Sequence, residues 1–481
     1  MRIAALALLL FAAAAHAAPP KDQWFTVLLD GRKIGSFESQ RIVKDGKVET
    51  TQTLDVSLDR AGIAIHLVNG ESATETADGK PLAFGSRTKM SGIESRIDGR
   101  VDGDKVEVTT STGGATQTRT MTWPSGALLP EATRLAGVRA GVAPGTRYDV
   151  LAFQPSSLDA ARVATVVAAE ESVDLPGGAR KLARLDQDMA FSGTTMRSRT
   201  WVDAEQTVYK LVMPLMGVDL VLLACDRACA TAPNQGSDVF ERTMLAAPRA
   251  LAPAELHGAM RYTLVARDDV KLPDIVSTDE QRVETHGNER IVTIDPQARE
   301  ATPSERPRPG DFRPNDYLQS EAPEVVALAS KAVGDATDPT GKMQRIETFV
   351  RGFIKDKTLN IGYASALEVA RKPEGDCTEH AVLAAALGRA EGIATRVVDG
   401  LAYAPGFAGK DQVFVPHAWA QAWIDGRWRS FDAALHGFDS GHIALAVGDG
   451  DPWRFYSGIE QLGTFEVRAA QALPSRATAT P

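Results

Sequence analysis

Cysteine is scarce in this chain, with 3 among 481 residues. Three thiols cannot build a disulfide scaffold; they allow one bridge and leave one thiol over. An excess of positive charge is also missing. Lys and Arg number 53 against 62 Asp and Glu, a net charge of −9, so there is no footprint for phosphate backbones or anionic lipid and nucleic acid is not an expected partner. Long apolar runs are absent as well. The most apolar interior stretch, Leu211 to Cys225, is interrupted by Pro214, Gly217 and Asp219, well short of the ~20 residues that span a bilayer. It reads as strand, turn, strand. What remains is a globular composition, 43% hydrophobic and 24% charged, on a chain long enough for about three domains.

The first residues read as an address. Met1 and Arg2 precede an apolar run from Ile3 to Ala15, followed by Ala15-His16-Ala17, the charged start, short hydrophobic segment and small-residue site of a secretory signal peptide over residues 1–17. The mature chain is then expected to be periplasmic or secreted, with no transmembrane segment, where disulfides form. Cys225 and Cys229 are the expected pair. Both on one helix would be too far apart, so the bridge calls for a tight loop at Asp226-Arg227-Ala228. As metal ligands they lack a nearby His or Cys to complete four, and no metal or cofactor is expected. Cys377 is left alone.

Residues 20–246 alternate apolar and polar positions, as in Leu54-Asp55-Val56-Ser57-Leu58-Asp59, which is the period of half-buried strands. Asp30-Gly31, Asp45-Gly46 and Asp98-Gly99 lie between candidate strands as hairpin turns. This part is expected to be a large antiparallel sheet or open barrel, a scaffold or binding domain without catalytic motifs. A smaller strand-rich segment covers 253–299, and Pro303, Pro307, Pro309 and Pro314 mark an extended linker over 300–316. From 317 to 470 the reading is α+β, with 471–481 a flexible tail. Met343, Ile346, Phe349, Val350, Phe353 and Ile354 share one helical face, and Ser365 with Glu368 forms a capping box for a short helix.

Chemistry concentrates at Gly375-Asp376-Cys377-Thr378-Glu379-His380. Strong helix formers run from Ala381 to Ala390, and Gly392 stands where such a helix ends. Cys377 becomes the first helical residue, with Asp376 as cap and Glu379 reaching back to it. A helix start favours an anion, and a thiolate is the reactive form of cysteine. The strand pattern from Val415 to Ile424, the turn Asp425-Gly426 and the return from Arg427 place Trp419 opposite Asp432. His417 and Asp432 are then diagonal neighbours on one sheet face, ~7–8 Å apart at Cα, close enough for the carboxylate to orient the imidazole. Trp419 and Trp423 share that face and are candidates to shield the site or stack on substrate. His380 is a competing base without an evident carboxylate partner; His436 and His442 are taken as ordinary loop or strand residues, and Asp399-Gly400 as a turn.

The segments GDCTEHAVLAAALGRAEGIATRVVDG and HAWAQAWIDGRWRSFD resemble the transglutaminase-like domain of bacterial exported proteins over roughly Tyr317 to Ala434. The resemblance implies a papain-like α+β core with Cys377 as nucleophile, His417 as base and Asp432 as orienting acid. The expected fold is multi-domain, an antiparallel β-rich half followed by that core. The expected function is attack on an amide or peptide bond through a Cys377 thioester, with the acyl group passed to water or an amine and hydrolysis favoured, on a peptide or protein substrate. The alternative is an inactive core that serves as a peptide, glycan or lipid binding module of the cell envelope. Oligomeric state is not legible.

Overall fold

The computed structural model describes residues 22–474 except 61–62, 91–92, 113–114, 192–193, 204–206, 216–217, 237–242, 268–271, 273, 299–304, 357–362 and 451–461. The signal peptide expected over residues 1–17 lies outside the described residues. Two compact units are present, the first essentially residues up to 237 and the second from 238 onward.

Among the described residues, the first unit holds a fifteen-stranded sheet. Eight strands meander from Asp22–Leu29 to Ala115–Thr122, a second meander runs from Arg147–Gln154 to Val218–Cys225, and Asp22–Leu29 pairs with Val218–Cys225 to join them. The alternation seen in the sequence becomes burial: Val48, Thr50, Gln52, Leu54 and Val56 are buried, as expected where successive side chains take opposite faces. At Asp30-Gly31 and Asp45-Gly46 both residues have positive φ, the geometry that matches the strand twist in two-residue hairpins. Asp98-Gly99 is not a turn. Both residues sit inside the strand Ile93–Asp102, and the Phe84 ring occupies the space a Cβ on Gly99 would need. The turn falls at Gly103-Asp104, because Asp102 already pairs with Lys105. Leu211 to Cys225 is strand on both sides, Val208–Leu215 and Val218–Cys225.

Cys225 and Cys229 are bridged, with Cα atoms 6.0 Å apart. The intervening segment is a single helical turn, Arg227–Ala230, instead of the expected loop; Cys225 is the last residue of its strand, outside the turn, and the Asp226 carboxylate caps the turn by accepting from the Cys229 amide at 2.8 Å.

Among the described residues, the second unit combines five α-helices, Pro253–Leu256, Pro323–Val333, Pro339–Phe353, Ala366–Arg371 and Cys377–Ala390, with two sheets. One sheet has the order Leu245–Ala246, Lys410–Ile424, Thr395–Phe407, His442–Gly448, with Arg427–Phe431 also paired to Lys410–Ile424. The other contains Gln281–His286, Glu289–Ile294, Met260–Ala266 and Phe465–Ala472, so strands from the 253–299 segment share a sheet with one from the C-terminal end. Their buried faces form one core around Tyr262, Phe414 and Phe465. In the segment Glu305 to Arg313 two carbonyls are held: the Trp428 indole donates to that of Glu305 at 2.8 Å and Arg389 to that of Arg313 at 2.7 Å. In Pro339–Phe353, Met343, Ile346 and Val350 are fully buried, whereas Phe349 and Phe353 are half-buried and stack on each other 5.4 Å apart. Among the described residues no helix is long and apolar enough to cross a membrane.

Candidate active site

The helix Cys377–Ala390 is buried on nearly all sides and packs on the strand Lys410–Ile424. Its start is fixed by a complete capping box. The Asp376 carboxylate accepts from the Thr378 amide at 2.9 Å, and Glu379 reaches back to the Asp376 amide at 2.8 Å. Cys377 is the first helical residue and is partly buried. Burial first, and then the neighbouring Asp376 carboxylate, push Glu379 up to about 8. A raised pKa weakens the negative charge that Glu379 sets against the positive potential of the helix start beside the sulfur.

Opposite, the hairpin has the register read from the sequence. Asp425 and Gly426 both have positive φ, Ile424 pairs with Arg427, and the ladder ends at Ala420 with Phe431, one step short of Trp419 and Asp432. His417 Nε2 lies 2.8 Å from Asp432 Oδ2. Asp432 is fully buried and His417 is 4% exposed. The second carboxylate oxygen, Oδ1, accepts from the amides of Ala434 and Leu435 at 2.8 and 3.1 Å. From the helix Pro339–Phe353, Glu347 accepts from the Asp432 amide at 2.8 Å and Arg351 donates to its carbonyl at 3.0 Å. Both ends of the Asp432 peptide unit are thus held.

A second histidine, absent from the sequence reading as a site residue, shares the carboxylate. His442 Nε2 is 2.9 Å from the same Oδ2, and its Nδ1 is 3.0 Å from Asp439 Oδ1. Burial alone would lower the His442 pKa, but the bonds to Asp432 and Asp439 raise it to about 9. Burial likewise would raise that of Asp432, yet His417 and His442 outweigh it and hold it well below the usual carboxylate range. His442 comes from a strand two places away from that of His417 in the sheet, and the strand between them bears Gly400 opposite His417. Asp399-Gly400 is therefore mid-strand and not a turn. The Trp419 ring lies over Gly400, where an added Cβ would fall 2.9 Å from its Cη2 and 2.1 Å from the Ile443 carbonyl oxygen. Gly400→Ala is expected to destabilise the unit by about 3 kcal/mol, read from chemical denaturation; an unchanged midpoint would contradict the close approach.

The remaining candidates separate. Trp419 is 1% exposed, with its indole donating to Ser430 Oγ at 3.2 Å and its ring against His442 and Phe438. It is a buried wall of the site and offers no open face for stacking. Trp423, toward the turn, is half-buried and edge-to-face with Trp428. His380 is 1% exposed and its Nδ1 donates to the Asp376 carbonyl at 2.6 Å, so it helps tie the first helical turn. His436 is exposed on the loop after Asp432. His417, Asp432 and His442 also place one ligating atom each within 4.8 Å of one another. In His442, however, Nε2 lies against Asp432 Oδ2 and Nδ1 against Asp439 Oδ1, so both ring nitrogens are already engaged by the protein.

Residues 326–433 match the transglutaminase-like superfamily. This region contains Cys377, His417 and Asp432, while His442 lies just beyond it. No curated protein matches the sequence. Among solved structures, the chain resembles a candidate cysteine protease from Cytophaga hutchinsonii at 18% identity, over 40% of this chain and 80% of that one, with a TM-score of 0.27. A beta-barrel-like protein from Brucella abortus matches at 14% identity, 43% and 95% coverage and a TM-score of 0.34. A candidate protease from Parabacteroides distasonis matches at 11% identity, 74% and 69% coverage and a TM-score of 0.21. In the chain the transglutaminase-like region follows the large antiparallel sheet.

The buried ionisable groups of the second unit give a pH dependence with a defined sign. Glu280 is pushed up to about 7 by burial despite accepting from the Ser430 amide, Glu379 to about 8, and His442 to about 9. Each has a folded pKa above its unfolded value. Each therefore contributes stability in full below the unfolded pKa and loses it as pH rises through the folded one. The unfolding temperature is expected to be ~5 °C or more higher at pH 6 than at pH 9; a flat profile across that window would show that these groups titrate normally.

Proposed function

We propose that the transglutaminase-like region is a thiol enzyme acting on amide or peptide bonds. The observation that carries this reading is the buried 2.8 Å bond between His417 and Asp432, on a strand against which the Cys377 helix packs, with that helix opened by its own capping box. Asp432 holds His417 through Nε2, so Nδ1 is the nitrogen that exchanges a proton with the thiol. The Cys377 sulfur bonds to the carbonyl carbon, the carbon–nitrogen bond breaks, and His417 delivers the proton to the departing amine. Water, or an amine in transfer, then attacks the thioester and regenerates the thiol. The Cys377 backbone N–H at the helix start is the first donor to the developing oxyanion.

A peptide or protein is the substrate class that fits, with hydrolysis as the favoured outcome. Export to the periplasm or medium, directed by the segment at residues 1–17, agrees with the Cys225–Cys229 bridge, which persists in oxidising compartments.

The test is the pH dependence of Cys377 alkylation. A thiolate sustained by His417 reacts with iodoacetamide at pH 6, whereas an unperturbed thiol of pKa ~8.5 is under 1% ionised there. Labelling at pH 6 is expected to fall by at least ~10-fold in His417→Ala. Equal, slow labelling of both proteins would leave an inert cysteine and favour a binding module.

A further inference from the structure

His442 has the burial and the partners of a member of the site rather than of a filler residue. It is 3% exposed, and both ring nitrogens point at carboxylates, Nε2 at Asp432 and Nδ1 at Asp439. A neutral imidazole has one nitrogen with a lone pair, which here would face a carboxylate oxygen and be repelled. The carboxylate contacts at 2.9 and 3.0 Å are shorter than the 3.4 Å approach of the Asp439 amide to Nδ1, and they favour a hydrogen on each nitrogen, an imidazolium. Its centroid lies 5.6 Å from that of His417, close enough for its charge to act on the His417 ring.

We propose that His442 is a positioning residue that acts through Asp432: its fixed positive charge takes a share of Oδ2 and so limits how tightly Asp432 holds a proton on His417. The proposal rests on the thiol-enzyme reading above. With His442 in place, Asp432 is divided between two imidazoles and its other oxygen is engaged by two amides, so the carboxylate is anchored without being free to over-stabilise the protonated base. Remove the charge, and Asp432 serves His417 alone. His417 should then keep its proton to higher pH.

The groups that could confound this are few among the described residues. From the elements packed around His442, the titratable groups are His417 on the strand Lys410–Ile424 and Asp432 and Asp439 on the loops. Glu347 and Arg351 engage the Asp432 backbone farther out, and Tyr262 donates to the Ser440 carbonyl. The adjoining strand presents Ala402 opposite His442, and the walls are the rings of Trp419 and Phe438.

The experiment uses the full chain with ring-labelled histidine, read by NMR, alongside the pH dependence of Cys377 alkylation by iodoacetamide. In the unchanged protein both His442 nitrogens are expected to stay protonated to about pH 9. His442→Gln keeps a donor for Asp432 but carries no charge. In that variant the His417 titration, and the matching inflection in alkylation, should move up by about one to two pH units, the effect of losing a unit charge at this separation. A merely structural role would lower stability and leave that titration in place. Loss of the His442 proton near pH 6.5, or an unmoved His417 titration in His442→Gln, overturns the proposal. Should the variant fail to fold, the His442 titration in the unchanged protein still decides. Slow alkylation of the unchanged protein at pH 6 would count against the thiol-enzyme reading, and the histidine titrations are read independently of it.

Discussion

Cys377→Ala is expected to abolish amide cleavage, with a loss of roughly 10⁴-fold or more, while the unfolding temperature stays within about 2 °C. The two halves of that expectation have separate physical causes. Without sulfur there is no thioester, and His417 with Asp432 has only water to activate. Groups that act as one unit lose nearly all of their joint effect when one is removed. The fold is indifferent because the helix start does not depend on the thiol. Asp376 and Glu379 hold it through their reciprocal bonds to backbone amides, and alanine is the better helix former at the first helical position. A glutamine-containing peptide library, read for released ammonia and for new amino termini, distinguishes side-chain from backbone cleavage, and thermal denaturation checks the fold. Cys225→Ala is the control, because that residue belongs to the disulfide of the other unit. If Cys377→Ala kept the activity of the unchanged protein, the catalytic reading of this region would be lost.

The place of Cys377 at a helix start and that of His417 beside Asp432 were legible because each is set by short-range rules. The capping box names the first residue of a helix from four consecutive letters. The Asp425-Gly426 turn fixes a register that brings His417 and Asp432 within 2.8 Å of each other, fifteen residues apart in sequence and two rungs apart on the ladder. His442 obeys no such rule. It reaches Asp432 from a strand that pairs with the far side of Thr395–Phe407, and no local pattern states that this strand lies there. Gly400 was misread for a related reason. Asp399-Gly400, Asp98-Gly99 and Asp425-Gly426 are the same dipeptide, and only the last is a turn. In the other two, glycine serves a neighbouring side chain, Trp419 over Gly400 and Phe84 over Gly99. What a missing Cβ makes room for is a tertiary fact. The first unit shows the same division: alternation announced its strands, but the pairing of Trp24 with Cys225, which joins two meanders into one sheet, is written in neither meander.

Asp432→Ala should be the most damaging single change to the second unit, costing about 3–5 kcal/mol, the range for breaking a buried ion pair from one side. The carboxylate is completely buried and four donors converge on it, two amides on Oδ1 and two imidazoles on Oδ2. Deleting it leaves His442 a cation with Asp439 as its one remaining carboxylate, and leaves the loop after the hairpin without its anchor. Asp432→Asn separates stability from chemistry. The amide oxygen can still accept from Ala434 and Leu435, so most of the loop survives, but the amide nitrogen would point donors at two ring nitrogens that are themselves donors. His417 can then satisfy the new partner only by moving its hydrogen to Nδ1, which leaves the lone pair on Nε2 and none on the nitrogen that exchanges a proton with Cys377. Activity is expected to fall by about 10³–10⁴-fold in Asp432→Asn, comparable to Asp432→Ala, while its denaturation midpoint lies between those of the unchanged protein and Asp432→Ala. Parallel losses of stability and rate across the two variants would mean that Asp432 only props the loop; a large rate loss at modest stability cost would mean that its charge and the tautomer it selects are what the thiol depends on.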